Sequence, residues 1–128
     1  MNPSSEILVV DDDNDIRESL VELLEFEGYL AVGAANGKDA LDQLRRRPAS
    51  VILLDLMMPV MDGFEFRREQ LADPQLSGIP VVIVSAGGRC AQAAKELGAL
   101  GCVQKPLDVP TLLRVIRSAF KTGASPAP

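Results

Sequence analysis

The sequence predicts an α/β fold, a doubly wound five-stranded parallel sheet with helices on both faces. Three observations lead there. Short apolar, β-branched runs alternate five times with stretches whose apolar residues recur at helical spacing. The strongest runs are apolar throughout, as strands covered on both faces are, and do not alternate with polar residues. Acids, a hydroxyl and an amine collect just after the runs, where open α/β sheets bind their ligands.

Taken in order, Ile7-Leu8-Val9-Val10 forms the first strand and Asp11-Asp12-Asp13 ends it. Ile16, Leu20, Leu23 and Leu24 share one side of the first helix, which either Asp13 or Asn14 caps and Gly28 stops. Tyr29-Leu30-Ala31-Val32 is a weaker strand signal, expected near the sheet margin. Ala40, Leu41 and Leu44 mark a second helix that Pro48 ends, and Val51-Ile52-Leu53-Leu54 is the third strand. Phe64 with Leu71 marks the third helix, and Val81-Val82-Ile83-Val84 the fourth strand. An alanine-rich fourth helix runs from Cys90 to Leu97 and stops at Gly98. A marginal strand follows around Cys102-Val103, then a last helix carrying Val109, Leu112, Leu113, Ile116 and Phe120. Pro110 falls in its first turn, where the missing N–H costs nothing. Residues 6–121 thus read as one domain, with 1–5 a disordered start and 122–128 a flexible tail or truncated linker rich in small residues and proline.

With 128 residues, 47% of them hydrophobic, the chain can bury one core. A net charge of -5 argues against direct nucleic-acid binding, and Arg45-Arg46-Arg47 reads as a basic helix end that suits the dipole. Cys90 and Cys102 lack a CxxC spacing and read as ordinary reduced thiols. No apolar stretch is long enough to cross a bilayer, so a soluble cytoplasmic protein with no membrane insertion is expected. There is no histidine, so any chemistry runs on carboxylates, hydroxyls and amines.

Carboxylates converging from adjacent strand ends repel one another unless a cation compensates, and a hard divalent ion such as Mg2+ suits an all-oxygen donor set. One helix cap uses one of Asp11, Asp12 and Asp13 and leaves the others unexplained. Asp55, alone after its apolar strand, can attack phosphorus and become an acyl phosphate. Pro59 and Asp62-Gly63 turn and stiffen the following loop, while Met57, Met58 and Met61 read as apolar packing and loop cover. Lys105, held extended before Pro106, can pair with Asp55 or with phosphoryl oxygens. Ser85 can donate to the same oxygens, with capping of the next helix as its bland alternative.

Over Glu6 to about Lys121 these motifs resemble the CheY-like receiver domains of response regulators in two-component signalling, whose topology is flavodoxin-like. The resemblance implies Asp55 as phosphoacceptor, Asp12 as a direct magnesium ligand, and Asp11 as one acting mainly through water. It implies that Met57 lends its backbone carbonyl to the metal, and it matches Ser85-Ala86 and Lys105-Pro106 to a hydroxyl-plus-small pair and a lysine–proline step. It further implies a histidine kinase or histidine phosphotransfer protein as donor, a downstream protein or output domain as partner, and a phosphorylation-dependent dimer as a further state. Ser85 and Cys102 take the family's switch positions, although many members carry an aromatic where Cys102 stands. Neither Met57 nor Gly87 offers a carboxylate or amide to hold water, so a moderately long-lived phosphoryl state is expected, with self-phosphorylation and autodephosphorylation but no external turnover.

Two rival readings stay open. Asp11 and Asp13 have the spacing of a haloacid-dehalogenase-like phosphatase with Asp11 as nucleophile, although the chain lacks room for the cap that usually selects substrates. A degenerate receiver serving only as an interaction module is the other, and the full acid, hydroxyl and amine set argues against it.

Overall fold

The computed structural model describes residues 6–123. Strands and helices alternate as β1 (Glu6–Val10), α1 (Asn14–Phe26), β2 (Leu30–Ala34), α2 (Gly37–Arg46), β3 (Val51–Leu54), α3 (Gly63–Ala72), β4 (Val81–Ser85), α4 (Cys90–Leu97), β5 (Gly101–Gln104) and α5 (Val109–Gly123). The five strands form one sheet in the order β2-β1-β3-β4-β5. Every neighbouring pair is parallel, with Val10 level with Ala34 and Leu54, and Ser85 level with Gln104.

The pleat sorts the apolar runs into two cores. Leu8, Val10, Ile52, Leu54, Val81 and Ile83 face α2, α3 and α4. Their alternates Ile7, Val9, Val51, Leu53, Val82 and Val84 face α1 and α5. This two-sided burial is why the central strands read as continuous apolar runs. The two weaker strands are the sheet edges, as their composition suggested, and β2 extends through Gly33 to Ala34.

Helix boundaries follow local chemistry. Asp13, not Asn14, caps α1 by accepting from the Asp15 and Ile16 N–H groups, and Asn36 caps α2 through the Asp39 N–H. Gly98 takes a left-handed φ of 67° where α4 stops. Arg45 and Arg46 sit in the last turn of α2; Arg45 pairs with Asp73, and Arg47, just beyond, pairs with the buried Glu6. In α5, Leu112, Ile116 and Ala119 are buried and Val109 is exposed. That helix runs through Gly123, two residues into the expected tail. Residues 1–5, expected to be disordered, and 124–128 lie outside the described residues.

The third helix forms where Phe64 and Leu71 marked it, although these two are 39% and 50% exposed and its buried residues are Gly63, Phe66, Arg67 and Gln70. The polar pair is satisfied: Arg67 donates to the Leu97 and Gly98 carbonyls and to Gln70, and Gln70 donates to the Leu76 and Ile79 carbonyls. The expectation of reduced cysteines is corrected: Cys90 and Cys102 are not free thiols. Their sulfurs are joined in a disulfide, with Cα atoms 5.8 Å apart, because β5 returns beside the first turn of α4 and brings together residues 12 apart in sequence.

Candidate functional site

Strand order reverses between β1 and β3, since the chain leaves β1 towards β2 and then crosses back to β3. Such a reversal opens a crevice at the carboxyl ends of the two strands, and Asp11 and Asp55 occupy those ends. Backbone bonds extend the ladder one step past each strand. The Asp11 N–H donates to the Ala34 carbonyl at 3.1 Å, and the Asp55 N–H to the Val10 carbonyl at 3.0 Å. On the far side, the Lys105 N–H donates to the Ser85 carbonyl at 3.0 Å.

Carboxylate oxygens of Asp11, Asp12 and Asp55 lie within 4.8 Å of one another. Asp11 and Asp55 are buried, and Asp12 is exposed. The half-buried Lys105 places its Nζ 2.9 Å from Asp11 Oδ2 and 3.5 Å from Asp55 Oδ2. The second Asp11 oxygen accepts from the Asp13 N–H at 2.9 Å, so both of its oxygens are engaged. Asp12 makes no hydrogen bond or ion pair among the described residues.

Burial raises the Asp55 pKa above the ordinary aspartate value; Lys105 opposes the rise, Asp11 and Asp12 add to it, and the Met57 N–H opposes it. Burial alone would lower the Lys105 pKa, but its hydrogen bond to Asp11 and the charges of Asp55 and Asp11 raise it, so the ammonium stays charged. Lys105 is thus shared by Asp11 and Asp55, and Asp12 is left without it. An all-oxygen carboxylate cluster of this kind can coordinate a hard divalent metal.

The loop after Asp55 is held by its far end. Asp62 caps α3 and forms a capping box with Glu65, whose carboxylate accepts from the Asp62 N–H. Gly63 lies against the end of β3: a Cβ there would come within 2.6 Å of the Asp55 carbonyl oxygen and 2.8 Å of Leu56 Cα. That contact explains the Asp62-Gly63 pair better than turn propensity does. Sequence reasoning missed Val60, whose φ of 70° puts a β-branched residue in the left-handed region. Met58 and Met61 pack on the core as expected, while Met57 is 74% exposed and outside that core.

Ser85 is buried at the end of β4, and its hydroxyl donates to the Ala86 carbonyl at a long 3.4 Å. It does not cap α4, which starts at Cys90 with Arg89 as cap residue and no side-chain cap bond. The Lys105-Pro106 peptide is cis, which sequence did not reveal.

The fold and the cluster agree with what the chain is similar to. Residues 7–117 match the family model of the response regulator receiver domain. The chain is 40% identical over 109 residues to sporulation initiation phosphotransferase F of Bacillus subtilis, covering 83% of this chain and 86% of that protein. It is 36% identical over 125 residues to the transcriptional regulatory protein CpxR homolog of Haemophilus influenzae, covering 96% of this chain but only 53% of that protein, so it spans about half of that relative. Among solved structures, chemotaxis protein CheY4 of Vibrio cholerae superposes with a TM-score of 0.81 at 31% identity, covering 91% of this chain and 98% of that one. No helix among the described residues is long and apolar enough to cross a membrane. The chain belongs to the response regulator receiver domain family.

Proposed function

We propose that Asp55 accepts a phosphoryl group from a histidine kinase or histidine phosphotransfer protein, with Mg2+ at the acidic rim, and that the modified rim changes how one face binds a downstream protein or output domain. The observation that carries this reading is the meeting of Asp11, Asp12 and Asp55 within 4.8 Å beside the Lys105 ammonium. The residues fit the ion. Their donors are hard carboxylate oxygens, and three carboxylates converging within 4.8 Å are a concentration of negative charge that a dication would relieve. By the family resemblance Asp12, Asp55 and the Met57 carbonyl would hold the ion directly and Asp11 through water, a division supported by the 2.9 Å bonds on both Asp11 oxygens against the 3.5 Å contacts on those of Asp55. Bound there, Mg2+ would neutralise charge on the incoming phosphate.

The chain's own groups do the rest. An Asp55 oxygen attacks phosphorus; a P–O bond forms as the donor's P–N bond breaks, and that bond's electron pair leaves with the imidazole. Lys105 follows the new negative charge, and the Ser85 hydroxyl exchanges its long bond to Ala86 for a phosphoryl oxygen. The reaction is self-modification and its reversal by water, with no turnover of an external substrate. Residues 6–121 act as one receiver unit in the cytoplasm, and the phosphoryl state is moderately long-lived.

Acetyl phosphate with Mg2+ should add one phosphoryl group to the purified chain, and Asp55→Asn should abolish the addition, as read by intact mass. Undiminished labelling of that variant would overturn the assignment, and label mapped to Asp11 would support the phosphatase reading instead.

A further inference from the structure

We propose that Cys90 and Cys102 form a reversible dithiol–disulfide pair that decides whether α4 can move against β5. The pair sits where the rim's soft segment ends. Ala86 to Arg89 are all exposed, Gly87 takes a φ of 93°, and this loop is the only covalent path from Ser85 to the first residue of α4. Cys90, 3% exposed, lines a cleft of about 250 Å³ together with Ser85, Leu56 and Met57, so the start of α4 borders the phosphoacceptor side of the rim. Cys102 projects from β5 into the same core, level with Ile83, two residues before the Ser85–Gln104 pair.

The two ends of α4 are held differently. At its carboxyl end Arg67 bonds the Leu97 and Gly98 carbonyls, whereas its amino end has no side-chain cap, and the disulfide is what fastens it there. With the bond closed, a displacement of Ser85 and its loop cannot carry Cys90 away from β5. With two thiols, the amino end is held by packing alone. The Cα separation of 5.8 Å is ordinary for a disulfide, so the backbone need not rearrange for either state.

The chemistry needs only a small-molecule disulfide of the glutathione class. Cys102, partly exposed, attacks it as thiolate to give a mixed disulfide and release one small thiolate. Cys90 then displaces the second. Two protein thiols are oxidised, one small disulfide is reduced to two thiols, and the two thiol protons end on them. In a reducing interior the dithiol form is the resting one.

The signalling half of this proposal rests on Asp55 being the phosphoacceptor, so the test separates the two. The purified chain is equilibrated with oxidised or reduced glutathione, alkylated in denaturant and weighed. Two labels should appear after reduction and none after oxidation, while Cys102→Ala should take a single label at Cys90 after reduction. Hydrogen exchange is then followed in native protein without phosphodonor, where α4 amides should exchange roughly tenfold or more slowly in the oxidised form. Adding Mg2+ and beryllofluoride should shift α4 amides in the reduced form only, with those of residues 55–57 shifting in both. Two alkylatable thiols at every glutathione ratio, or equal α4 exchange in the two forms, would overturn the proposal. No response at residues 55–57 in either form would instead count against Asp55, with the exchange comparison still deciding the redox pair.

Discussion

Around Asp11 and Asp55, short hydrogen bonds fix the backbone: Asp13 accepts from Asp15 and Ile16 at 2.9 and 3.1 Å, Asp62 and Glu65 close a reciprocal box, and the Gly63 N–H donates to the Leu56 carbonyl at 2.9 Å. Around Ser85 the rim is looser. The hydroxyl has one bond of 3.4 Å, the next four residues are exposed, and α4 begins without a side-chain cap. The contrast separates two tasks. A nucleophile must be held still, because positioning supplies much of the rate of phosphoryl transfer, whereas a group that senses the product has to be able to move.

Substitutions at equivalent places in the two halves should therefore differ in cost. Gly63→Ala should be the most damaging, by about 3 kcal/mol, since the new methyl meets backbone that cannot yield. Chemical denaturation should show the loss, and labelling should fall with it because the Asp55 carbonyl is what would be pushed. Asp62→Ala should cost about 1 kcal/mol, the usual worth of a lost N-cap. Gly88→Ala should change stability by less than about 0.5 kcal/mol, since nothing lies within 4 Å of the added carbon. A large loss there, or a negligible one at Gly63, would break the comparison.

Opposite in sign is Asp55→Asn. Folding raises the Asp55 pKa, chiefly through burial, so the native state favours the protonated acid. The stability this group contributes is full below its unfolded pKa and is lost as pH rises through the raised native value. The neutral amide avoids that loss. Metal-free Asp55→Asn should thus be more stable than the parent at neutral pH, with the gain vanishing in acid. Melting curves across pH would check it, and a gain that persisted in acid would show that charge is not the cause.

What sequence made legible follows the same physics. Ile7 to Val10, Val51 to Leu54 and Val81 to Val84 announce themselves because strands buried on both faces are apolar throughout, and Asp11, Asp55 and Ser85 stand where those strands end, with Lys105 after the weaker edge strand β5. The buried face of α3 was not legible because Arg67 and Gln70 are types that normally stay in water. Their partners are carbonyls of Leu97, Gly98, Leu76 and Ile79, of which those on α4 lie 30 and 31 residues away, and no local period reports them. The disulfide escaped for a related reason, since it depends on β5 lying beside α4 and leaves no mark in the spacing of Cys90 and Cys102.

The division into a fixed half and a mobile half is tested most directly by backbone amide spectra of the reduced chain with Mg2+, before and after beryllofluoride. The account predicts shifts at residues 55–57 and through Ser85, the Gly87-Gly88 loop and α4 to Cys102, while the amides of Asp62 to Phe66 stay in place. Shifts confined to the acidic pocket and α1, with Ser85 through Cys102 unmoved, would contradict it.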